Sequence, residues 1–124
     1  MRIDVVSFGF KRGAPREADL MLDVRFLPNP HWDPELRPLT GLDERVRERV
    51  FASDQARAFV AAAEAMLDVA MPGYVEEGKH YLTIAVGCTG GKHRSVAVAE
   101  AIAAHLRRTS GLRVAVTHRD LGAE

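Results

Sequence analysis

Apolar positions along the chain fall into short strand-like runs and into stretches at helical spacing. Arg2 to Phe8 is rich in Ile and Val and predicts a first strand. Gly9 to Pro15, with two glycines and a proline, predicts a loop. Ala18 to Arg25 predicts a second strand. Pro28, Pro30 and Pro34 then exclude regular structure, because each fixes φ and removes a donor. Thr40 and Asp43 resemble a capping box that opens a short helix around Leu42, Val46 and Val50. Ser53 is a good N-cap for a longer helix, with Phe59, Ala62, Ala63, Met66, Leu67 and Ala70 at helical spacing and Pro72-Gly73 as its expected stop. A strand at about 80–86 and a helix at about 94–108 follow. Ser110-Gly111 is the next stop, and Arg113 to Thr117 the last strand.

Alternating strands and helices imply an α/β fold, a three-layer-type sandwich with a mainly parallel sheet. Ligands of such sheets collect at the carboxyl ends of the strands. The loops after the first, second and third strands would share that edge. At 124 residues the chain is expected to form a single domain, 1–124, burying roughly two thirds of its unfolded surface. Lys plus Arg equals Asp plus Glu, 17 each, so any basic site must be a local patch. One cysteine allows no internal disulfide and fits a reducing, cytoplasmic setting. Neither a signal peptide nor a membrane span is expected, and hence no membrane partner.

The most informative segment lies between the third strand and the third helix: Cys88-Thr89-Gly90-Gly91-Lys92-His93-Arg94-Ser95. A strand, a Gly-rich turn and a helix start make an anion cradle. The first-turn amides and the positive end of the helix dipole face one point, and Lys92, His93 and Arg94 add side-chain donors. The segment is not a Walker A loop. Val86 stands where that motif needs its first glycine, and His93 where it needs Ser or Thr.

Cys88 with Arg94 and Ser95 also fits Cys-x5-Arg-Ser/Thr, which resembles the loop of cysteine-dependent phosphatases. In that alternative Cys88 attacks phosphorus as a thiolate, Arg94 grips two phosphate oxygens and Asp33 is the candidate acid for the leaving group. Cys88 equally suits a plain buried position at a strand end.

Three stretches resemble the C-terminal domain of the RapZ family. They are Asp23-Val24-Arg25-Phe26-Leu27-Pro28-Asn29-Pro30-His31-Trp32-Asp33, Leu36-Arg37-Pro38-Leu39-Thr40-Gly41 and Gly87 through Ser95. His118-Arg119-Asp120 resembles that domain's end, so the similarity spans nearly the whole chain. The resemblance implies a fold related to a phosphofructokinase subdomain. It also implies a non-catalytic ligand-sensing and RNA-adaptor role, RNA presented to an endonuclease, and self-association into a homo-oligomer. The implied ligand is a phosphorylated amino sugar such as glucosamine-6-phosphate. The family's N-terminal P-loop domain has no counterpart in this sequence, so nucleotide hydrolysis is not implied and a separate P-loop protein is a candidate partner. The tail after Arg119, Asp120 to Glu124, lacks the extra Lys and Arg of RNA-binding members.

Carried over position by position, the sugar-phosphate pocket falls on Asp23, Arg25, His31, Thr89, Gly90, His93 and Arg94. The chemistry of the loops adds Asn29, Gly91, Lys92 and Ser95. Asp23 and Arg25, two apart on a strand, can instead pair with neighbours, and His31 and Trp32 can instead pack the loop. Lys11, Arg12, Arg16, Lys92, Arg107, Arg108, Arg113 and Arg119 are the candidates for an RNA-binding basic patch. Arg45, Arg47 and Arg49 among Asp43, Glu44 and Glu48 read as a solvated helix face. Five histidines and one cysteine show no metal-ligand spacing, so no metal and no cofactor is expected.

Overall fold

Four strands, all parallel, build one sheet in the computed structural model, which describes residues 1–123. They are β1 (Arg2–Gly9), β2 (Leu20–Asp23), β3 (Tyr81–Cys88) and β4 (Arg113–His118), in the order β2-β3-β1-β4. Three helices accompany them: α1 (Glu44–Phe51), α2 (Asp54–Glu76) and α3 (Arg94–Thr109). Single 3-10 turns occupy Phe10–Arg12 and Pro30–Trp32. This is the expected α/β architecture.

Side-chain alternation decides what each face of the sheet meets. Ile3 and Val5 of β1 and Leu82, Ile84 and Val86 of β3 enter one core with Val46, Val50, Leu67, Ile102 and Leu106 from the helices. Helix α3 lies directly against β1, β3 and β4, and α1 and α2 pack on it. Ala97, Ala99 and Ala103, all buried, allow α3 its close approach. On the other face a thinner layer covers the carboxyl half. Phe8 and Phe10 meet edge to face at 4.7 Å, the Arg25 guanidinium sits 3.8 Å over the Phe10 ring, and that of Arg119 lies 5.5 Å from the Phe8 ring centre.

Strands β1, β3 and β4 and helix α3 form within two residues of where the apolar runs predict them. Strand β2 is shorter, four residues in place of eight. The Asp23 carboxylate accepts the Arg25 amide at 3.0 Å and turns the chain. The Asp19 carboxylate accepts the Thr83 amide at 2.8 Å, a side chain replacing a ladder bond.

Helix α1 is capped by Asp43, which accepts the Arg45 amide at 2.9 Å, while Thr40 bonds the Leu42 amide at 3.2 Å in a turn of its own. The expected capping box is therefore two separate local turns, and Leu42 stays exposed outside the helix. Ser53 caps α2 as expected, accepting the Ala56 amide at 3.2 Å.

Pro72-Gly73 does not stop α2. The helix continues to Glu76 with Pro72 inside it, because Met71 is buried and Tyr74 packs on the core. That packing offsets the missing amide of the proline. The real stop is a Schellman motif at Gly78 (φ 89°), with the Lys79 amide on the Tyr74 carbonyl and the Gly78 amide on that of Val75. The buried stripe of α2 is Ala56, Val60, Ala63, Leu67 and Met71, so Ala62 and Met66 of the expected face point outward. A helix this rich in Ala does not declare its inner side from spacing alone. By length and composition α2 is also apolar enough to cross a membrane, contrary to expectation, although its inner stripe belongs to the core.

Candidate anion-binding site

Three segments converge at the carboxyl edge of the sheet: the turn after β1, the long loop 24–43 after β2, and the β3–α3 loop. Parallel pairing puts the ends of β1, β2 and β3 side by side, with Gly9 opposite Cys88 and Asp23 opposite Gly87. The β3–α3 loop is clamped between Gly9 and Gly41. A Cβ at Gly91 (φ 76°) would stand 2.7 Å from the Gly9 nitrogen, and one at Gly41 would stand 2.4 Å from the His93 carbonyl oxygen. The Gly41 amide donates to the Lys92 carbonyl at 2.8 Å, and the Lys11 amide to that of Thr89 at 3.1 Å.

Helices α1 and α2 carry side-chain N-caps, but α3 has none: His93 stands at its cap and accepts nothing with its side chain. Among the described residues, the backbone amides of 90–96 have no protein acceptor. The start of α3 therefore keeps its orphan donors and the positive end of its dipole.

Arg94 is only 5% exposed. Its Nη1 donates to the carbonyls of Arg25 (2.6 Å) and Leu27 (3.1 Å), and its Nη2 to Thr89 Oγ1 at 3.4 Å. Among the described residues no carboxylate pairs with it. Asp23 feels its charge from beyond pairing distance, so this buried guanidinium is held by carbonyl dipoles without a paired carboxylate, which is costly unless an anion joins it.

Arg94 lines a cavity of about 560 Å³ that also exposes Lys11, Arg37 and Lys92, with no Asp or Glu in its wall. The remaining wall includes Asn29, His31, Trp32, Cys88, Thr89, Gly90 and His93. The volume suits a small phosphorylated molecule.

Seven of the eleven sequence-predicted ligand residues thus share the cavity: Asn29, His31, Thr89, Gly90, Lys92, His93 and Arg94. Gly91 and Ser95 are buried and do not line it. Asp23 and Arg25 lie outside and pair with each other at 2.7 Å, which holds the Asp23 carboxyl below its usual range. Sequence reasoning did not single out Arg37 for the site. Its Nε donates to the His31 carbonyl at 2.7 Å, and its own carbonyl accepts from His93 Nε2 at 3.2 Å. No spacing rule joins residues 37 and 93; only the fold of the 24–43 loop does. Burial lowers the His93 pKa, against the raising effect of the hydrogen bond from Nε2 to the Arg37 carbonyl, and neighbouring Lys92 lowers it further.

Cys88 forms part of the wall, and its thiol donates to Ser95 Oγ at 3.1 Å. Asp33 does not reach the cavity. It pairs with Arg49 at 3.3 Å and accepts the Glu35 amide at 2.9 Å, so the acid of the phosphatase alternative is spent on loop and helix.

The expected basic patch is split. Lys11, Arg12, Lys92 and Arg119 belong to segments at the carboxyl edge, and Arg16 is exposed on the loop from there to β2. Arg107 and Arg108 end α3, and Arg113 begins β4, at the opposite edge. Helix α3, at 16 residues, separates the two groups by about 24 Å. Arg12 is bonded to the Ala123 carbonyl, and Arg119 bonds Asp120 and the Gly13 carbonyl. Glu124 of the tail lies outside the described residues.

A second polar chain was not foreseen. Ser7 Oγ and His118 Nδ1 are 2.6 Å apart, and His118 Nε2 is 2.8 Å from Glu100. Ser7 is fully buried, so this relay ties β1, β4 and α3 together and offers no nucleophile to solvent.

A family model described as RapZ C-terminal domain matches residues 1–122. Similar curated proteins include a nucleotide-binding protein of Rhodococcus jostii, 60% identical over 124 residues, covering 100% of this chain and 41% of that protein. A nucleotide-binding protein of Thermobifida fusca is 58% identical over 124 residues, covering 100% and 42%. One of Mycobacterium ulcerans is 54% identical over 122 residues, covering 98% and 40%. The chain thus spans about two fifths of the length of these relatives.

Proposed function

The chain belongs to the RapZ C-terminal domain family, and on that premise we propose that it is a non-catalytic ligand-sensing domain that binds a phosphorylated metabolite at the start of α3. The observation that carries this reading is the Arg94 guanidinium, buried without a paired carboxylate in a cavity whose wall holds four cations and no carboxylate. A phosphate there neutralises that charge, accepts from the free amides of 90–96 and sits on the helix dipole. The relatives' shared name, nucleotide-binding protein, supports a regulatory or nucleotide-binding role in the same broad class. An amino-sugar phosphate such as glucosamine-6-phosphate is the ligand that the family resemblance favours, with Asn29 and His31 available for its hydroxyls.

An RNA-adaptor role is part of the proposal. Lys11 and Lys92 of the carboxyl edge are in segments that also form the cavity, so ligand and RNA phosphates would draw on shared cations. The test is a titration with glucosamine-6-phosphate followed by amide chemical shifts. Saturable shifts at Gly90 to Val96, lost in Arg94→Ala while the variant stays folded, are the expected result. No shift at those amides contradicts the reading.

A further inference from the structure

Trp32, the chain's one tryptophan, is 75% exposed, yet it forms part of the wall of the cavity that Arg94 lines. An indole left in water forgoes a large burial gain, so its position calls for a reason. Its backbone is fixed. The Asn29 side chain accepts the His31 amide at 3.1 Å, the Asn29 carbonyl accepts the Trp32 amide at 3.3 Å, and Pro30 between them is buried. Arg37 Nε holds the His31 carbonyl, and the His31 ring meets the indole edge to face at 5.3 Å. The aromatic surface is thus presented in advance, on a 3-10 turn braced by the buried Pro30, so little ordering cost falls on binding.

We propose that Trp32 is the ring-reading residue of this site: the bound phosphate is a monoester whose attached ring lays a flat face on the indole. This rests on the anion-site reading above. Two sources share that chemistry, the C–H face of a sugar ring and the π-face of a nucleobase. The cavity admits both, and the phosphate held at the start of α3 fixes one end of either.

The experiment measures affinity and Trp32 fluorescence with three probes: inorganic phosphate, glucose 6-phosphate and AMP. In the unaltered chain at least one ring phosphate binds about fivefold or more tighter than inorganic phosphate, the ratio expected for one aromatic stack, and changes the indole emission. In Trp32→Ala that ratio falls to about one, while Trp32→Phe keeps most of it. A response to glucose 6-phosphate alone identifies a sugar, and to AMP alone a base. Ring phosphates that bind no tighter than inorganic phosphate, or a ratio unmoved in Trp32→Ala, overturn the proposal while leaving the anion site standing. Emission that responds to single-stranded RNA but to no small ring phosphate overturns it in favour of an RNA contact. Failure of all three probes to bind removes the anion site and this proposal together.

Discussion

Gly41 presses on His93 so closely that a single methyl on its Cα would lie 2.4 Å from the His93 carbonyl oxygen and 2.6 Å from the Ala97 amide nitrogen. The long loop after β2 is thereby seated on the first turn of α3. Gly41→Ala must push that loop away. The expected cost is about 1–3 kcal/mol, the range for overpacking a well-filled site, read as a lower urea midpoint with an unchanged slope. Phosphate affinity should fall with it, since Arg37 rides on the same loop. A variant of full stability would show that the loop moves freely.

His93 makes stability depend on pH in one direction. Its folded pKa lies below the ordinary 6.5, because burial disfavours the charged ring. Below about 6.5 the unfolded chain therefore takes up this proton while the folded chain does not. The contribution is complete above that pH and is lost as pH falls through the folded pKa. Urea unfolding across this window should show falling stability on acidification, with a shallower fall in His93→Gln. Asp120, held below 3.8 by Arg119, adds a loss of the same sign only in more acid solution.

Cys88→Ser separates binding from catalysis. The thiol donates to Ser95 Oγ in a closed pair, and a hydroxyl can make the same bond. Sugar-phosphate affinity should change by less than about twofold, well under the cost of a lost hydrogen bond. An aryl phosphate should be turned over by neither protein. Turnover abolished in Cys88→Ser would establish the phosphatase alternative.

The sequence made the frame of the site legible because strong local signals coincide there. A run of Ile, Val and Ala ends in Gly-rich residues and is followed by Ala and Val at helical spacing, and β3, the loop and α3 form accordingly. Pro72 misled because a proline's local cost says nothing of Tyr74 packing beyond it. Asp23 and Arg25 pair with each other, a solution local to two residues that competes with any ligand role. Arg37 and the diversion of Asp33 to Arg49 depend on contacts across the 24–43 loop, where prolines erase periodicity. The split of the basic residues follows from the length of α3, which carries charges near in sequence to opposite edges of the sheet.

Under the proposed RNA-adaptor role, that split predicts which charges matter. In a retardation assay over a salt series, Lys11→Glu with Lys92→Glu should weaken binding and flatten the salt slope by about one for each RNA phosphate that these lysines no longer neutralise. Arg108→Glu with Arg113→Glu, at the far edge, should change neither. The reverse pattern would put RNA on the amino edge of the sheet.

The most direct measurement is an inorganic-phosphate titration of the unaltered chain beside Arg94→Lys, followed by backbone amide shifts. Lysine keeps the charge but loses the fork whose Nη1 holds the Arg25 and Leu27 carbonyls while Nη2 reaches Thr89 Oγ1. The account predicts saturable shifts centred on Gly90 to Val96, at least about tenfold weaker in Arg94→Lys, in line with losing a charge-assisted hydrogen bond. Shifts scattered over surface lysines, or equal affinity in the two proteins, would contradict it.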